Sequence, residues 1–310
     1  MTPDQHTNQE LFLDVGDGHQ LYVQDWGNPK INVPIIFLHG GPGSGTSDRH
    51  RQRFDPMQQR VIFFDQRGSG KSLPKGSLEN NTTADAVEDI EKVAKHFKLN
   101  KFFLSGGSWG STLALSYALA YPKRVEAMVL SGIFTGRQSE IDYLDNGGFK
   151  TFFPDIWEKY VGSVPKSAQA DPSAYYHKQV MGSDAEDSKR AAYAYSEMLE
   201  GPLLSLDDRY TPTKYEDFDP DAMRIELHFL QNRCFLPEGS ILKQASKLTM
   251  PIWLVQGRYD MVCPPTTAYE LSKLLPNGHL IWTTAGHGND RPTYDVIRTL
   301  FLQLTAGHNG

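Results

Sequence analysis

Cysteine is scarce: Cys234 and Cys263 are the two thiols in 310 residues. Two thiols build no disulfide framework, and no Cys/His spacing suits a zinc site, so no metal is expected. Long apolar runs are missing too. No stretch approaches the roughly 18 consecutive apolar residues of a membrane span. The opening MTPDQHTNQE has neither the basic start nor the apolar centre of a secretory leader. Positive charge is in deficit, 31 Lys and Arg against 37 Asp and Glu. No basic run is present to neutralise phosphates, so nucleic acid is not an expected partner, and neither is a membrane. These absences point to a reduced, cytoplasmic protein of ordinary globular composition, 39% hydrophobic and 22% charged. Its length suits one large domain, or a domain with an insertion.

What is present is a rhythm of short apolar runs rich in Val, Ile, Leu and Phe. They fall at residues 33–38, 60–64, 101–104, 127–130 and 251–256, with a sixth at 279–283. Unbroken runs of this length are what strands covered on both faces require. An earlier pair, 10–15 and 20–25, flanks Gly16-Asp17-Gly18 and reads as an antiparallel edge hairpin. Helical spacing predicts helices over 83–97, 111–120, 266–274 and 293–304, with Thr82 or Thr83 capping the first. Alternation of this kind predicts a mostly parallel α/β sheet with right-handed crossovers. From about 136 to 246 the rhythm stops and the chain turns rich in Tyr, Asp, Glu and Ser. That segment is expected to be an inserted helical cap, over an α/β-hydrolase core made of 1–135 and 247–310. The last residues, from 306, read as a frayed tail.

Three motifs carry chemistry. Gly106-Gly107-Ser108-Trp109-Gly110 follows a strand and precedes a helix, the context in which Gly-x-Ser-x-Gly presents a nucleophilic serine on a sharp turn. The outer glycines suit a turn in which side chains would collide. His39-Gly40-Gly41-Pro42-Gly43 follows the 33–38 strand and matches the HGGG-type loop that donates one N–H to an oxyanion hole. The donors would be Gly41 and Trp109. Chain order supplies the rest. Asp260, after the 251–256 strand, and His287, after the 279–283 strand, complete the order Ser, acid, His of this fold. Ser108 would be deprotonated by His287, with Asp260 fixing the tautomer. Rivals exist in Asp290 and Glu270 for the acid and His279, His308 and His96 for the base, but they sit in helices, at a strand start or in the tail. Gly68-Ser69-Gly70-Lys71-Ser72 ends like a phosphate-binding loop, yet that motif needs Gly where Asp65 stands. Asp65-Gln66-Arg67-Gly68 reads instead as a structural turn beside the site, and no cofactor is expected. His39 is read as structural, since it lies too early in the chain to be the base.

Together HGGPG, FDPMQQRVIFFDQRGSGKS, NTTADAVEDIE, GGSWGSTLALSYA, GRYDMVCP and AGH resemble the prolyl aminopeptidases (proline iminopeptidases). The similarity runs from about Gly16 to His287 and is strongest outside the cap. It implies a metal-independent serine peptidase that removes N-terminal proline from a peptide or small aminoacyl substrate. In that family acidic cap residues bind the substrate amine, and the segment around Met223-Arg224-Ile225-Glu226 makes Glu226 one counterpart. The second acid falls in Ala191–Gly201, where the aromatic spacing is altered, so that Glu200 and Glu197 both remain open. Phe134 and Cys263 match positions near the family's proline pocket. Tyr143-Leu144-Asp145 stands where the family usually carries more aromatics.

The same triad under a different cap would suit an esterase or amidase for another small acyl compound. A non-catalytic binding protein on this scaffold would be expected to lack a triad member, and here all three are present. Monomer and homo-oligomer are equally compatible with the sequence.

Overall fold

The computed structural model describes residues 7–204, 210–288 and 291–307, with the side chains of Met198 and Glu200 outside the description. Its frame is one eight-stranded sheet in the order β1-β2-β4-β3-β5-β6-β7-β8. The hairpin β1 (Thr7–Gly16) and β2 (His19–Gly27) lies at one edge, and β2 runs antiparallel to β4 (Arg60–Phe64). From there every pairing is parallel: β4 with β3 (Ile35–Leu38), β3 with β5 (Phe102–Ser108), then β6 (Val125–Ile133), β7 (Ile252–Gly257) and β8 (Gly278–Thr283).

The apolar runs are explained by burial on two faces, with neighbouring residues alternating between them. Ile36, Leu38, Ile62, Phe64, Phe102, Leu104, Met128, Leu130, Ile252 and Leu254 point into one core. There they meet α1 (Thr83–His96) and α2 (Trp109–Ala120). Ile35, Phe37, Val61, Phe63, Phe103, Ala127, Val129 and Val255 point into the other, where Ile297 and Phe301 of α11 (Arg291–Ala306) cover them. The α1 start carries a capping box, in which Thr82 and Asp85 satisfy each other's backbone N–H. Helix α2 is apolar almost throughout, as a helix buried on all sides must be.

Between β6 and β7 the chain is helical: α3 (Gln138–Asp145), α4 (Pro154–Gly162), α5 (Pro172–Val180), α6 (Ala185–Tyr193), a π-helical stretch Ala194–Glu200, the short α7 (Gly201–Leu203), α8 (Asp221–Gln231) and α9 (Ser240–Gln244). Much of this segment has its own core, built on Phe149, Tyr160, Tyr176, Tyr195 and Leu199. Helix α8 joins the layers. Met223 and Leu227, four residues apart and so on one stripe, enter the helical core, while Ile225 and Phe229 enter the sheet's core. The stripe left between them carries Ala222 and Glu226, and it faces a cavity. After β7, α10 (Pro265–Leu274) returns the chain to β8. Among the described residues no helix is long and apolar enough to cross a membrane.

Candidate active site

Each candidate residue of the triad follows the C-terminal end of a parallel strand, which is where open α/β sheets gather their ligands. Ser108 ends β5 and caps α2 with φ 55° and ψ −128°. A non-glycine side chain there costs on the order of 1–3 kcal/mol and persists where the surroundings enforce it. The enforcement is visible. A Cβ on Gly106 would lie 2.3 Å from the Gly110 carbonyl oxygen, and one on Gly110 would lie 2.2 Å from that of Leu38. Both positions therefore demand glycine, and the turn between them holds Ser108 at the mouth of a cavity of about 430 Å³.

His287 lines the same cavity. Its Nδ1 lies 3.0 and 2.9 Å from the two carboxylate oxygens of Asp260, so Nδ1–H donates to the acid. Asp260 is itself fixed: Oδ1 accepts from the Val262 and Cys263 amides at 3.0 and 2.7 Å, and Oδ2 accepts from Gln256 Nε2 at 3.0 Å. Gln256 in turn accepts from the Ile133 amide at 2.8 Å, which ties the acid to β6. Burial opposes charge on His287, but the Asp260 carboxylate overcomes it and raises the imidazole pKa well above its usual 6.5. Gly132, at φ +51°, lies against the ring: a Cβ there would be 3.1 Å from His287 Cε1. Of the rivals, Glu270 is on α10 and paired with Arg137 at 2.8 Å. His279 stacks on Trp253, and His96 ends α1 against Phe97. Asp290 and His308 lie outside the described residues.

The glycine loop after β3 closes over Ser108. A Cβ on Gly40 would stand 3.4 Å from Ser108 Cβ, and Gly40 and Gly41 both line the cavity. Trp109, whose amide is the other candidate donor, buries its indole against Phe229 of α8. His39 is fully buried, and burial pushes its imidazole down, which keeps it neutral. Its Nδ1–H donates to the Gly40 carbonyl at 2.9 Å, and its Nε2 accepts from the Gln66 amide at 2.9 Å. Asp65 accepts from Thr46 and from the Lys71 amide at 2.8 Å, while Arg67 makes a buried two-pronged pair with Asp89 at 2.7 and 2.9 Å. The 65–68 turn thus braces the glycine loop.

From the helical segment, Glu197 and Glu226 line the cavity. The Glu197 carboxylate accepts from the Tyr210 hydroxyl and from the Thr213 amide at 2.8 Å. The side chain of Glu200 lies outside the description. Phe134 and Cys263 are buried behind the cavity rather than lining it. Phe134 receives its hydrogen bonds through its carbonyl from Ser111 and Thr112, and Cys263 packs on the triad, where burial pushes its thiol pKa up. Among the described residues no cluster of His, Cys, Asp or Glu could hold a metal ion. Three contributors carry no motif and were not expected from the sequence: Gly132, Gln256, and Arg53, whose guanidinium lines the cavity beside Gly107.

A sheet of this order, with a serine elbow after β5, an acid after β7 and a histidine after β8, defines the class as an α/β-hydrolase. Residues 33–289 match the family described by the alpha/beta hydrolase fold. A probable proline iminopeptidase of Leptolyngbya boryana is 41% identical over 285 residues, 90% of this chain and 88% of its own. The proline iminopeptidase of Arabidopsis thaliana is 40% identical over 90% of this chain and 75% of its own, and that of Neisseria gonorrhoeae 39% identical over 92% and 93%. The crystal structure of a Mycobacterium smegmatis proline iminopeptidase superposes with a TM-score of 0.62 over 97% of this chain and 99% of that one, at 17% identity. An esterase of Exiguobacterium antarcticum superposes equally well, TM-score 0.62 over 96% and 100% at 19% identity, so likeness at that distance shows the fold alone. The chain belongs to the proline iminopeptidase family of α/β-hydrolases.

Proposed function

We propose that the chain is a serine aminopeptidase that releases N-terminal proline from peptides. One observation carries the reading: two carboxylates of the helical segment, Glu197 and Glu226, line the cavity that Ser108 and His287 line. A buried ammonium needs such a counter-charge, because desolvating it alone is prohibitive. The same two acids make the 136–246 segment a cap that reads the substrate's free amine and limits cleavage to one residue.

In this mechanism Ser108 Oγ attacks the carbonyl carbon of the first residue while His287 takes its proton. Asp260 holds the imidazole with Nδ1–H toward itself and stabilises the imidazolium. The oxyanion rests on the Gly41 and Trp109 amides. His287 then protonates the leaving nitrogen, the C–N bond breaks, and water, deprotonated by His287, releases proline from the acyl-enzyme. A cytoplasmic setting accords with the two cysteines, which are both free and buried.

The test compares proline, alanine and N-blocked proline p-nitroanilides with p-nitrophenyl acetate, using Ser108→Ala as the control. Release from free proline, none from the blocked form and none with Ser108→Ala is expected. Turnover of the acetate ester alone would assign the cap to a different substrate and make the chain an esterase.

A further inference from the structure

The cavity has a second polar end that the mechanism above does not use. It is built by the short helix Asp48–Arg53 after the glycine loop, and Arg53 and His50 of that helix, with its N-cap Ser47, line the same cavity as Ser108. Arg53 is 9% exposed, a depth at which arginine is ordinarily paired. Its guanidinium is instead held by rings, with its carbon 4.5 Å from the centre of Tyr294 and 5.5 Å from that of Phe37. Among the described residues its Nε has no hydrogen-bond partner and no carboxylate lies within 4.0 Å of it. Nη1 lies 4.0 Å from where a Cβ on Gly107 would stand, so the cation borders the residue just before Ser108. His50 adds no second positive charge beside it: burial, and next the Arg53 cation, push its pKa down to about 3.

An arginine cannot shed its proton to escape burial, and a buried charge is tolerated when something pairs with it. The planar fork matches a carboxylate, and aromatic stacking aims that fork without neutralising it. The position adds direction. Glu197 and Glu226, on the cap, suit the amine of the first residue, while Arg53 belongs to the sheet side of the cavity. The next residue along an extended chain is displaced by about 3.3–3.6 Å, so a charge just past the cleaved bond falls beside the serine elbow rather than far down a groove.

We propose that Arg53 binds a carboxylate borne by the residue on the leaving side of the scissile bond, which makes peptides with an anionic second residue the preferred substrates. This rests on the aminopeptidase reading above. Two sources share the chemistry: the free C-terminal carboxylate of a proline dipeptide, and an acidic side chain in the second position of a longer peptide. With a cationic first residue and an anionic second one, the cavity's acids and its arginine meet opposite ends of one short zwitterion.

The experiment measures kcat/KM for Pro-Ala, Pro-Ala-amide, Pro-Asp-amide and proline p-nitroanilide on the full-length wild type, Arg53→Met and Arg53→Lys. A charge-assisted bond to a buried arginine predicts a wild-type preference of roughly 10- to 100-fold for the carboxylate-bearing peptide over Pro-Ala-amide. Preference for Pro-Ala identifies the dipeptide carboxylate, and preference for Pro-Asp-amide the acidic side chain. In Arg53→Met the preferred ratio should fall towards one, while Arg53→Lys should retain part of it. A wild-type ratio near one for both carboxylate peptides overturns the proposal, and so does a ratio that survives in Arg53→Met. If Arg53→Met does not fold, as seen by circular dichroism, the wild-type ratio and Arg53→Lys decide by the same criteria. If no proline substrate is cleaved although p-nitrophenyl acetate is, the aminopeptidase reading has failed separately. Arg53 is then read from inhibition of ester hydrolysis by Pro-Ala against its amide, where equal inhibition overturns its role.

Discussion

Trp109 donates its indole N–H to Gln66 Oε1 at 2.8 Å, and the same Gln66 amide donates from Nε2 to the His39 carbonyl at 3.0 Å. One buried side chain thus bridges the two loops that carry the proposed oxyanion donors, Gly41 after β3 and Trp109 after β5. Gln66→Leu keeps the volume and removes the bridge. It leaves a buried indole N–H and a carbonyl without partners, at about 1–3 kcal/mol each. Loops released by a fraction of an ångström lose transition-state contacts more than substrate contacts, so kcat should fall roughly 10- to 100-fold with KM little changed. Steady-state kinetics on proline p-nitroanilide, beside a melting curve, reads both effects. A stability loss with kcat intact would make Gln66 a fold residue and nothing more.

Gly132→Ala tests the floor beneath the proposed base, His287. The new methyl meets φ +51°, a conformation that L-residues avoid, and stands 3.1 Å from His287 Cε1 and 3.3 Å from Nδ1. Backbone strain alone costs about 1 kcal/mol. That corresponds to a drop in Tm of roughly 2–4 °C. The imidazole must also move by a few tenths of an ångström, which disturbs its bond to Asp260. We expect kcat/KM to fall at least tenfold, out of proportion to the change in Tm. Full activity at a lowered Tm would show that the ring is held from elsewhere.

The raised pKa of His287 has two consequences of opposite sign. As a base the imidazole must be neutral, so kcat/KM should decline as pH falls through a value above 6.5. For stability, the folded chain holds that proton more tightly than the unfolded chain. Its contribution is complete below the ordinary imidazole value and is lost as pH rises through the raised one. Asp260→Asn removes the carboxylate that causes the rise. The residual activity should be far lower, on the order of 10⁴-fold by analogy with other triads, and its acid limb should move down in pH. A wild-type limb at or below 6.5 would contradict the assignment.

How much of this was legible beforehand depends on what each residue's neighbours are. Runs such as 60–64 coincide with β4 because burial on both faces writes itself into every position. The strand expected at 101–104 continues instead to Ser108, since Ser105-Gly106-Gly107 pair with β6 while carrying little apolar signal. Sheet order, with β4 outside β3, is written in no local pattern. The proposed triad could be named from the sequence because each member sits in a short motif after an apolar run, although the three are far apart along the chain. Gly132, Gln256 and Arg53 were not, because each acts across strands or layers on a residue far away in sequence. The choice between Glu197 and Glu200 was obscured by the π-helical stretch Ala194–Glu200. Its wider turn shifts the direction of successive side chains away from the α-helical pattern; Glu197 lines the cavity, and the side chain of Glu200 lies outside the description.

Glu197 and Glu226 stand on different elements, the π-helical stretch and α8, and each substitution has its own expected response. Glu197 already accepts from the Tyr210 hydroxyl and the Thr213 amide. Glu197→Gln should therefore disturb the 210–213 chain as well as the substrate amine, lowering both Tm and kcat/KM. Glu226 rises from the cavity-facing stripe of α8, between two apolar stripes that anchor the helix. Glu226→Gln keeps the apolar anchors of α8 and should cost no more than about 1 kcal/mol of stability, yet lower kcat/KM for proline p-nitroanilide roughly 10- to 100-fold through the lost ammonium contact. Hydrolysis of p-nitrophenyl acetate, which carries no amine, is the control. If Glu226→Gln slows both substrates alike, the carboxylate acts on the shared machinery and the amine is read by Glu197 or another group.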